Sequence, residues 1–254
     1  MLLAIDVGNT NMLVGVYQGE ELSHHWRLET KKERTADEFG IFFKELFQFA
    51  DLDSKGVKNI VISNVVPQLE FSLDRMCERY FNLKPKFIRH TTKLPIKIGL
   101  SNPEEVGADR IVNAVAGVAQ YGAPLIIVDF GTATTFDYID AKKVYWGGCI
   151  APGISVSHEA LYQKASKLPR VEIKKPERII GRNTIESLQA GIFHGYVGLV
   201  DQIVTKMQEE AGQTCKVVAT GGFLGLITQE SKTIQDANPF LTLEGLKLLA
   251  NHVK

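Results

Sequence analysis

The sequence has little that would mark a nucleic-acid-binding, membrane-spanning or disulfide-stabilised protein. Its 254 residues include 29 lysines and arginines against 29 aspartates and glutamates, so the basic excess typical of a nucleic-acid-binding protein is absent. Its three cysteines, Cys77, Cys149 and Cys215, lie far apart, which predicts neither a disulfide framework nor a metal site. The N-terminal apolar run, residues 2–5, is too short for a signal peptide or a membrane span. We therefore expect a cytoplasmic protein without nucleic-acid or membrane partners.

Two common nucleotide-binding loops are also missing. The sequence contains neither G-x-x-x-x-G-K-[ST] nor G-x-G-x-x-G, so the folds that depend on those loops lose their main support. The adjacent His24 and His25 would face opposite sides of a strand and make a poor metal chelate. Two blocks, "KKER" at 31–34 and "EIKKPER" at 172–178, mix both charge signs, and we interpret them as solvated loops rather than a polyanion-binding patch.

What the sequence does contain is one pattern that occurs twice. In "LLAIDVGNTN" (2–11) and in "LIIVDFGTAT" (125–134), an apolar run ends in an aspartate, which a glycine follows two residues later. The two aspartates, Asp6 and Asp129, are 123 positions apart (129 minus 6), and each opens a predicted β-β-β-α-β-α order. We expect an α/β fold with two duplicated lobes, 1–122 and 123–254, whose mixed sheets flank a nucleotide cleft.

Periodicity and turn signals set the predicted elements. Thr35 and Glu38 fit a capping box, and Asn183 fits an N-cap. The predicted strands are 2–7, 12–17, 21–28, 59–66, 125–130, 135–139, 144–150 and 216–220. The predicted helices are 35–50, 67–81, 102–121, one from about 154, 184–211 and 243–253.

The repeated turn suits a phosphate ligand. An aspartate at the end of a buried strand is costly unless a cation or a hydrogen bond meets it. For a single such turn, capping by the local backbone is an adequate alternative; two turns, one in each lobe, favour a ligand. Gly8 and Gly131 allow close approach to the backbone, and Asn9, Thr10, Asn11 and several threonines after Gly131 add short donors. Backbone N–H groups bind anions and carboxylates bind cations, which together suit a nucleoside triphosphate with its metal.

This layout resembles the actin, hexokinase and Hsp70 ATPase superfamily, whose lobes are ribonuclease H-like. Five motifs narrow the resemblance to type III pantothenate kinase, and they follow that family's order over nearly the whole chain. They are "DVGNTN" (6–11), "NPEEVGADR" (102–110), "DFGTATT" (129–135), "GGCIAPG" (147–153) and "TGG" (220–222). The resemblance implies transfer of the γ-phosphate of ATP to pantothenate, as the first step of coenzyme A biosynthesis.

The resemblance also implies residue roles. Asp6 would hold Mg²⁺, through water, and Asp129 would bind a monovalent cation, K⁺ or NH₄⁺. Asp109 would accept the proton of the pantothenate hydroxyl. The residues implied for ATP are Asp6, Val7, Gly8, Asn9, Thr10, Asn11, Met12, Leu13, Thr132, Gly221 and Gly222. Those implied for pantothenate are Gly107, Ala108, Asp109, Arg110 and Thr184. Family members are homodimers, in which the threonine matching Thr184 reaches the acceptor bound mainly by the other subunit.

Several alternatives stay open. Asp109 could be an acid that favours a helix N-terminus, and Arg110 could pair with Glu104 or Glu105. Leu100 stands where the family often carries a tyrosine that contacts pantothenate, so the affinity for that substrate could differ. Another small-molecule kinase of the superfamily, or a non-catalytic accessory factor in gene regulation, is the alternative function.

Overall fold

The computed structural model describes residues 1–251, whose contacts divide into two compact units. The first contains Met1–Ala116 and the C-terminal segment from Leu241, and the second contains Gly117–Phe240. These units are defined by compactness, whereas the lobes 1–122 and 123–254 are defined by duplication and stay a prediction. Within the described residues, every helix is too short or too polar to cross a membrane.

The first unit is built on a mixed sheet with the strand order β3-β2-β1-β4-β5. Antiparallel pairing joins β1 to β2 and β2 to β3, and parallel pairing joins β1 to β4 and β4 to β5. The strands are β1 (Leu2–Val7), β2 (Asn11–Gln18), β3 (Glu21–Glu29), β4 (Asn59–Asn64) and β5 (Lys86–Phe87). The predicted hairpin-connected strands at the N-terminus are therefore confirmed.

Two helices cover one face of this sheet, α1 (Ala36–Phe49) and α2 (Glu70–Phe81). The capping box of Thr35 and Glu38 is present at the start of α1. Phe39, Phe43 and Phe47 of α1 are buried in the core cluster, so this aromatic face of the helix is a packing surface. Short 3-10 helices, Ser54–Gly56 and Pro67–Leu69, precede β4 and α2.

The segment that precedes the "GADR" motif differs from the prediction. A continuous helix was expected over 102–121, but the structure has the short strand β6 (Lys97–Ile98), a 3-10 helix (Pro103–Glu105) and then α3 (Ala108–Tyr121). Val106 is extended, with φ −76° and ψ 127°, and extended backbone interrupts the i→i−4 hydrogen-bond ladder. The break places the start of α3 directly at Gly107 and Ala108.

The second unit has a mixed sheet in which five strands are hydrogen-bonded in the order β11-β10-β7-β8-β9. The strands are β7 (Leu125–Phe130), β8 (Ala133–Ile139), β9 (Val144–Pro152), β10 (Lys216–Gly221) and β11 (Asp236–Ala237). The helices are α4 (Ile154–Lys164), α5 (Thr184–Ala211) and α6 (Leu224–Ile227). Ile192, Tyr196 and Val200 of α5 pack against Val128 and Phe136 of the sheet.

The chain ends with α7 (Leu241–Ala250), which belongs to the first unit. Helix α7 packs on the sheet face opposite α1. On that face Gly15 of β2 approaches Leu243 of α7, and a Cβ on Gly15 would lie 2.8 Å from Leu243 Cδ1. The helix was predicted to run from 243 to 253; it starts two residues earlier, and Val253 lies outside the described residues.

Candidate active site

Asp6 lies at the carboxyl end of β1, where the chain turns sharply into β2. Asp6 and Val7 pair with Leu13 and Met12 of β2, and the N–H of Gly8 donates to the carbonyl of Asn11 at 3.0 Å. A Cβ on Gly8 would stand 2.9 Å from that carbonyl, which explains why glycine occupies the position. The side chains of Asn9, Thr10 and Asn11 are exposed around the turn.

Val7 and Met12, two of the residues expected at the nucleotide, have their side chains in the hydrophobic core. Both are at most 1% exposed. Any ligand at the turn can therefore meet only the backbone of these two residues.

Polar side chains of β4 adjoin Asp6. In the parallel register Asp6 pairs with Ser63 and Val7 pairs with Asn64. The Asn64 Oδ1 accepts a hydrogen bond from the N–H of Val66 at 2.9 Å. Among the described residues, Ser63 Oγ and Asn64 Nδ2 are buried without a hydrogen-bond partner. Buried polar atoms are nearly always partnered in native proteins, so each atom marks a place where a ligand or water belongs, and Ser63 lies on the same sheet face as Asp6.

The "GADR" motif is next to these residues. Gly107 approaches Val65, which directly follows Asn64: a Cβ on Gly107 would lie 3.6 Å from Val65 Cγ1 and 2.5 Å from Asp109 Oδ1. The Asp109 Oδ1 also accepts the backbone N–H of Arg110 at 2.8 Å. Asp109 is in the first turn of α3 and is half-buried. The motif glycine thus leaves the space that the Asp109 carboxylate occupies at the start of α3.

Thr30 joins this group although no motif in the sequence indicated it. Its N–H donates to the carbonyl of Thr10 at 2.9 Å, and its Oγ1 donates to the carbonyl of Gly8 at 2.8 Å. These contacts arise because the β2–β3 hairpin returns the chain to the Gly8–Asn11 turn.

The second unit repeats the strand-turn-strand geometry. Asp129 is the penultimate residue of β7 and pairs with Thr135 of β8 and Thr220 of β10. The N–H of Gly131 donates to the carbonyl of Ala133 at 3.1 Å, two residues on, whereas the N–H of Gly8 donates to Asn11, three residues on, so the second turn is tighter. Thr132 is exposed at the tip of the turn.

The "TGG" motif lies beside Asp129. Gly221 has φ 97°, and a Cβ there would stand 2.6 Å from Asp129 Oδ1. The N–H of Gly222 donates to the carbonyl of Phe130 at 3.0 Å. The structure therefore brings Asp129, Gly221 and Gly222 together.

A hydrogen-bonded group of side chains lies in β8 and β9, next to Asp129. Thr135, the cross-strand partner of Asp129, donates from Oγ1 to Asp137 Oδ2 at 3.2 Å. The hydroxyl of Tyr145 donates to Asp137 Oδ1 at 2.5 Å. Asp137 and Tyr145 are both 0% exposed. Sequence reasoning missed this group, because a tyrosine and an aspartate in neighbouring strands carry no local signal.

The "GGCIAPG" motif supports the Gly131–Thr132 turn. The N–H of Gly153 donates to the carbonyl of Thr132 at 3.1 Å. The hydroxyl of Tyr196 in α5 donates to the carbonyl of Pro152 at 2.8 Å. The end of β9 therefore stabilises the Gly131–Thr132 turn, and α5 stabilises the end of β9.

Thr184 is at a different place in the second unit, as the first residue of α5. The Asn183 side chain caps the helix by accepting the N–H of Glu186 at 2.9 Å, as predicted. Thr184 is exposed, and so are the apolar side chains of Ile179, Ile180 and Ile185 nearby in the sequence.

A protein-only metal cage is not present among residues 1–251, since no group of three or more His, Cys, Asp or Glu side chains there could hold an ion. The histidine pair expected to be a poor chelate lies on consecutive positions of β3. The three cysteines are free, and Cys149 is exposed whereas Cys77 and Cys215 are buried.

Solved structures with similar folds span almost the whole chain. A protein named as a conserved Baf family transcriptional activator from Campylobacter jejuni is 20% identical with a TM-score of 0.60, over 98% of this chain and 97% of its own. The ethanolamine utilization protein EutJ from Carboxydothermus hydrogenoformans is 13% identical with a TM-score of 0.56, over 97% and 89%. A ROK family glucokinase from Streptomyces griseus, in complex with glucose and AMPPNP, is 12% identical with a TM-score of 0.55, over 99% and 98%. These likenesses confirm the expected fold class.

A family model gives a more specific result. The model of type III pantothenate kinase matches residues 2–206. That range contains the Asp6 and Asp129 turns, the "GADR" motif and the "GGCIAPG" motif. The chain belongs to the type III pantothenate kinase family.

Proposed function

We propose that the protein transfers the γ-phosphate of ATP to (R)-pantothenate, giving 4′-phosphopantothenate, the first product of coenzyme A biosynthesis. The single observation that carries this function is the family match over residues 2–206. ATP is the donor and pantothenate is the acceptor in that family. The residue roles below are part of the proposal.

Asp6 suits a Mg²⁺ ion that arrives with ATP. Mg²⁺ in phosphoryl-transfer enzymes keeps several waters and takes one or two carboxylates plus substrate phosphates. One carboxylate that pairs across the strands with Ser63, whose buried Oγ has no hydrogen-bond partner among the described residues, fits that requirement, because ordered water could hydrogen-bond to both side chains. Bound Mg²⁺ would neutralise part of the charge on the phosphates.

The Gly8–Asn11 turn supplies donors for the triphosphate. Its short polar side chains are exposed, and its glycine keeps the backbone open to close approach. In the second unit, Thr132 is an exposed hydroxyl that would touch an ATP phosphate, and Gly221 and Gly222 would lie beside the nucleotide.

Asp109 is the proposed base. Its Oδ1 is held by the N–H of Arg110, so the carboxylate has a fixed orientation at the start of α3. A positioned carboxylate that accepts the hydroxyl proton of pantothenate contributes about 10²- to 10⁴-fold in typical enzymes. Gly107, Ala108 and Arg110 would line the acceptor pocket around it.

Asp129 would hold the monovalent cation, K⁺ or NH₄⁺. Its carboxylate is half-buried over Gly221, and Thr135 stands opposite on the neighbouring strand. Hydroxyl and carboxylate oxygens are suitable ligands for such an ion.

The acceptor site would be shared between the two chains of a homodimer, with Thr184 of one chain contacting pantothenate at Asp109 of the other. The exposed Ile179, Ile180 and Ile185 beside Thr184 support a covered surface there. Gly191, Gly195 and Gly198 of α5 support it too, because nothing among the described residues lies within 4 Å of a Cβ on any of them.

A coupled assay tests the function. Purified protein with Mg²⁺ and K⁺ is expected to release ADP only when pantothenate is added, and mass spectrometry is expected to detect 4′-phosphopantothenate. ADP release with a sugar, acetate or glycerol instead would indicate another kinase of the superfamily. A folded protein that releases no ADP with any acceptor would favour the accessory role.

A further inference from the structure

The block "KKER" follows Thr30 directly, and the structure brings it to the Gly8–Asn11 turn. Thr30 donates hydrogen bonds from N to the Thr10 carbonyl and from Oγ1 to the Gly8 carbonyl. Asn11 pairs with Glu29 in the β2–β3 register. The block is about 20 residues from the turn in the sequence. In the structure it begins at the residue that follows Thr30, which contacts the turn directly.

We call residues 31–34 the basic turn. The N–H of Arg34 donates to the carbonyl of Lys31 at 3.2 Å, which closes the turn. The guanidinium of Arg34 lies 5.4 Å from the ring centroid of Phe39 and 5.2 Å from that of Phe42. These cation–π contacts fix the far end of the basic turn on α1, as Thr30 fixes the near end. Both ends are thus held while the two lysines remain exposed.

The carboxylates around the basic turn engage the lysine charges only weakly. Lys31 Nζ is 3.8 Å from Glu29 Oε2, but the side chains are 57% and 74% exposed, and exposed pairs of this kind are weak. Glu38 is engaged by the backbone and side chain of Thr35 in the capping box. Glu33 is exposed. Because the lysine side chain is long and flexible, its ammonium group can leave a weak carboxylate contact and bind a nearby anion instead.

We propose that Lys31 and Lys32 bind the phosphates of ATP at the Gly8–Asn11 turn. The inference rests on the proposed function, since it takes this turn as the phosphate site. A triphosphate carries more negative charge than one Mg²⁺ neutralises, and Asp6 adds a further negative charge beside it. The β1–β2 hairpin contains no lysine or arginine, so the basic turn supplies the missing positive charge from another part of the chain.

Nucleotide binding by a double variant tests this. Lys31→Gln with Lys32→Gln keeps most of each stem and removes both charges. We expect the Kd for Mg·ATP, measured by calorimetry, to rise about 3- to 10-fold at about 0.05 M salt and much less at about 0.5 M, because salt screens exposed charges. The rise is expected to be smaller for ADP and absent for adenosine, which has no phosphate.

The matched control is Lys142→Gln with Lys143→Gln, another adjacent lysine pair in the turn between β8 and β9. It is expected to leave ATP binding unchanged, and circular dichroism is expected to show that both double variants are folded. Thr10→Val separates the inference from the function on which it rests. If Thr10→Val weakens ATP binding but the Lys31/Lys32 variant does not, the lysine proposal is wrong and the phosphate turn stands. If neither changes the Kd, the turn is not the phosphate site. An equal loss for adenosine would show that the lysines do not act through phosphate.

Discussion

The Oδ1 atom of Asp129 lies where a side chain on Gly221 would have to stand, 2.6 Å from the ideal Cβ position. Gly221 also has φ 97°, a left-handed conformation that L side chains rarely adopt. Glycine is therefore required here by the positive φ and by the Phe130 backbone, whose N and O atoms lie 2.7 Å from that Cβ position, beside the Asp129 carboxylate. Two motifs more than 90 residues apart (221 minus 129) in this way form one structural element.

Gly221→Ala is expected to displace the Asp129 carboxylate. The steric conflict and the positive φ together would cost about 1–3 kcal/mol, seen as a lower Tm in a thermal melt. If Asp129 binds the monovalent cation, the K⁺ concentration for half-maximal activity would also rise. Gly225→Ala is the control, since nothing among the described residues lies within 4 Å of a Cβ there. Unchanged stability and K⁺ dependence in Gly221→Ala would contradict the close approach.

Asp109→Asn is expected to lower kcat by roughly 10²-fold or more, because the amide keeps the size of the side chain but cannot accept the pantothenate proton. The amide oxygen can still accept the Arg110 N–H, so the start of α3 is expected to persist and circular dichroism to be unchanged. Steady-state kinetics with pantothenate measures the effect. Near-normal turnover would mean that Asp109 serves only the helix N-terminus.

Asp201 of α5 provides a pH-dependent test of the second unit. Burial pushes the pKa of Asp201 up, but hydrogen bonds from Ser231 Oγ (2.6 Å), the N–H of Lys232 (3.0 Å) and Thr233 Oγ1 (2.9 Å) outweigh burial and hold its pKa below the ordinary value. A carboxylate whose pKa is lowered by folding stabilises the protein above its unfolded pKa, about 4 for aspartate. This stabilisation is lost as the pH falls through the folded pKa.

We therefore expect Asp201→Asn to lower the Tm at neutral pH, with a difference from the wild type that shrinks below about pH 4. Thermal melts over a pH series measure it. Asp140→Asn at the β8–β9 turn is a comparison. Burial raises the pKa of Asp140, but hydrogen bonds from Trp146 Nε1 and from the N–H groups of Val144 and Lys142 outweigh burial and lower it. A Tm difference in Asp201→Asn that grows on acidification would contradict the assignment.

The parts of the fold that follow from the sequence are those specified locally. The Thr35–Glu38 capping box and the Asn183 N-cap are confirmed because each joins residues three positions apart. The repeated aspartate turns were visible because a buried strand that ends in a charged residue is unusual. The break before α3 was missed although Gly107 follows the extended Val106, because a single glycine inside a helical pattern is tolerated.

The candidate site shows the same division. The residues within each motif lie together, as neighbours in the sequence do. Contacts between residues that are distant in the sequence could not be predicted from the sequence pattern. Thr30 reaches Gly8 only because a hairpin folds back, and Tyr196 reaches Pro152 across 44 positions through the packing of α5. The short elements β5, β6, β11 and α6 were also missed, because two- to four-residue segments have no measurable periodicity.

Replacing K⁺ with Na⁺ at matched ionic strength is expected to lower activity, because the Asp129 site is proposed to hold the larger, partly dehydrated ion. Initial rates with each chloride salt measure the effect. Asp129→Asn is expected to lower activity and to reduce the difference between the two salts. Equal rates for the wild type in both salts would argue against a monovalent cation at Asp129.

The final prediction concerns a site shared between chains. Asp109→Asn removes the proposed base, and Thr184→Arg would block the pocket from the start of α5, where Thr184 is exposed. In a twofold dimer with Thr184 opposite the partner's Asp109, a mixed dimer of these variants has both lesions in one site and neither in the other.

Random pairing of equal amounts makes about half the dimers mixed, and each has one intact site, so about a quarter of wild-type activity is expected to return on co-expression. Each variant alone is expected to be inactive, and differently tagged chains purified together would establish that mixed dimers form. The single-chain alternative gives the opposite result, because each chain of the mixed dimer would then carry one lesion in its own site. If the mixed dimers are folded and their activity equals the mean of the two parents, Thr184 and Asp109 of one chain belong to the same site. The shared-site proposal would then be wrong.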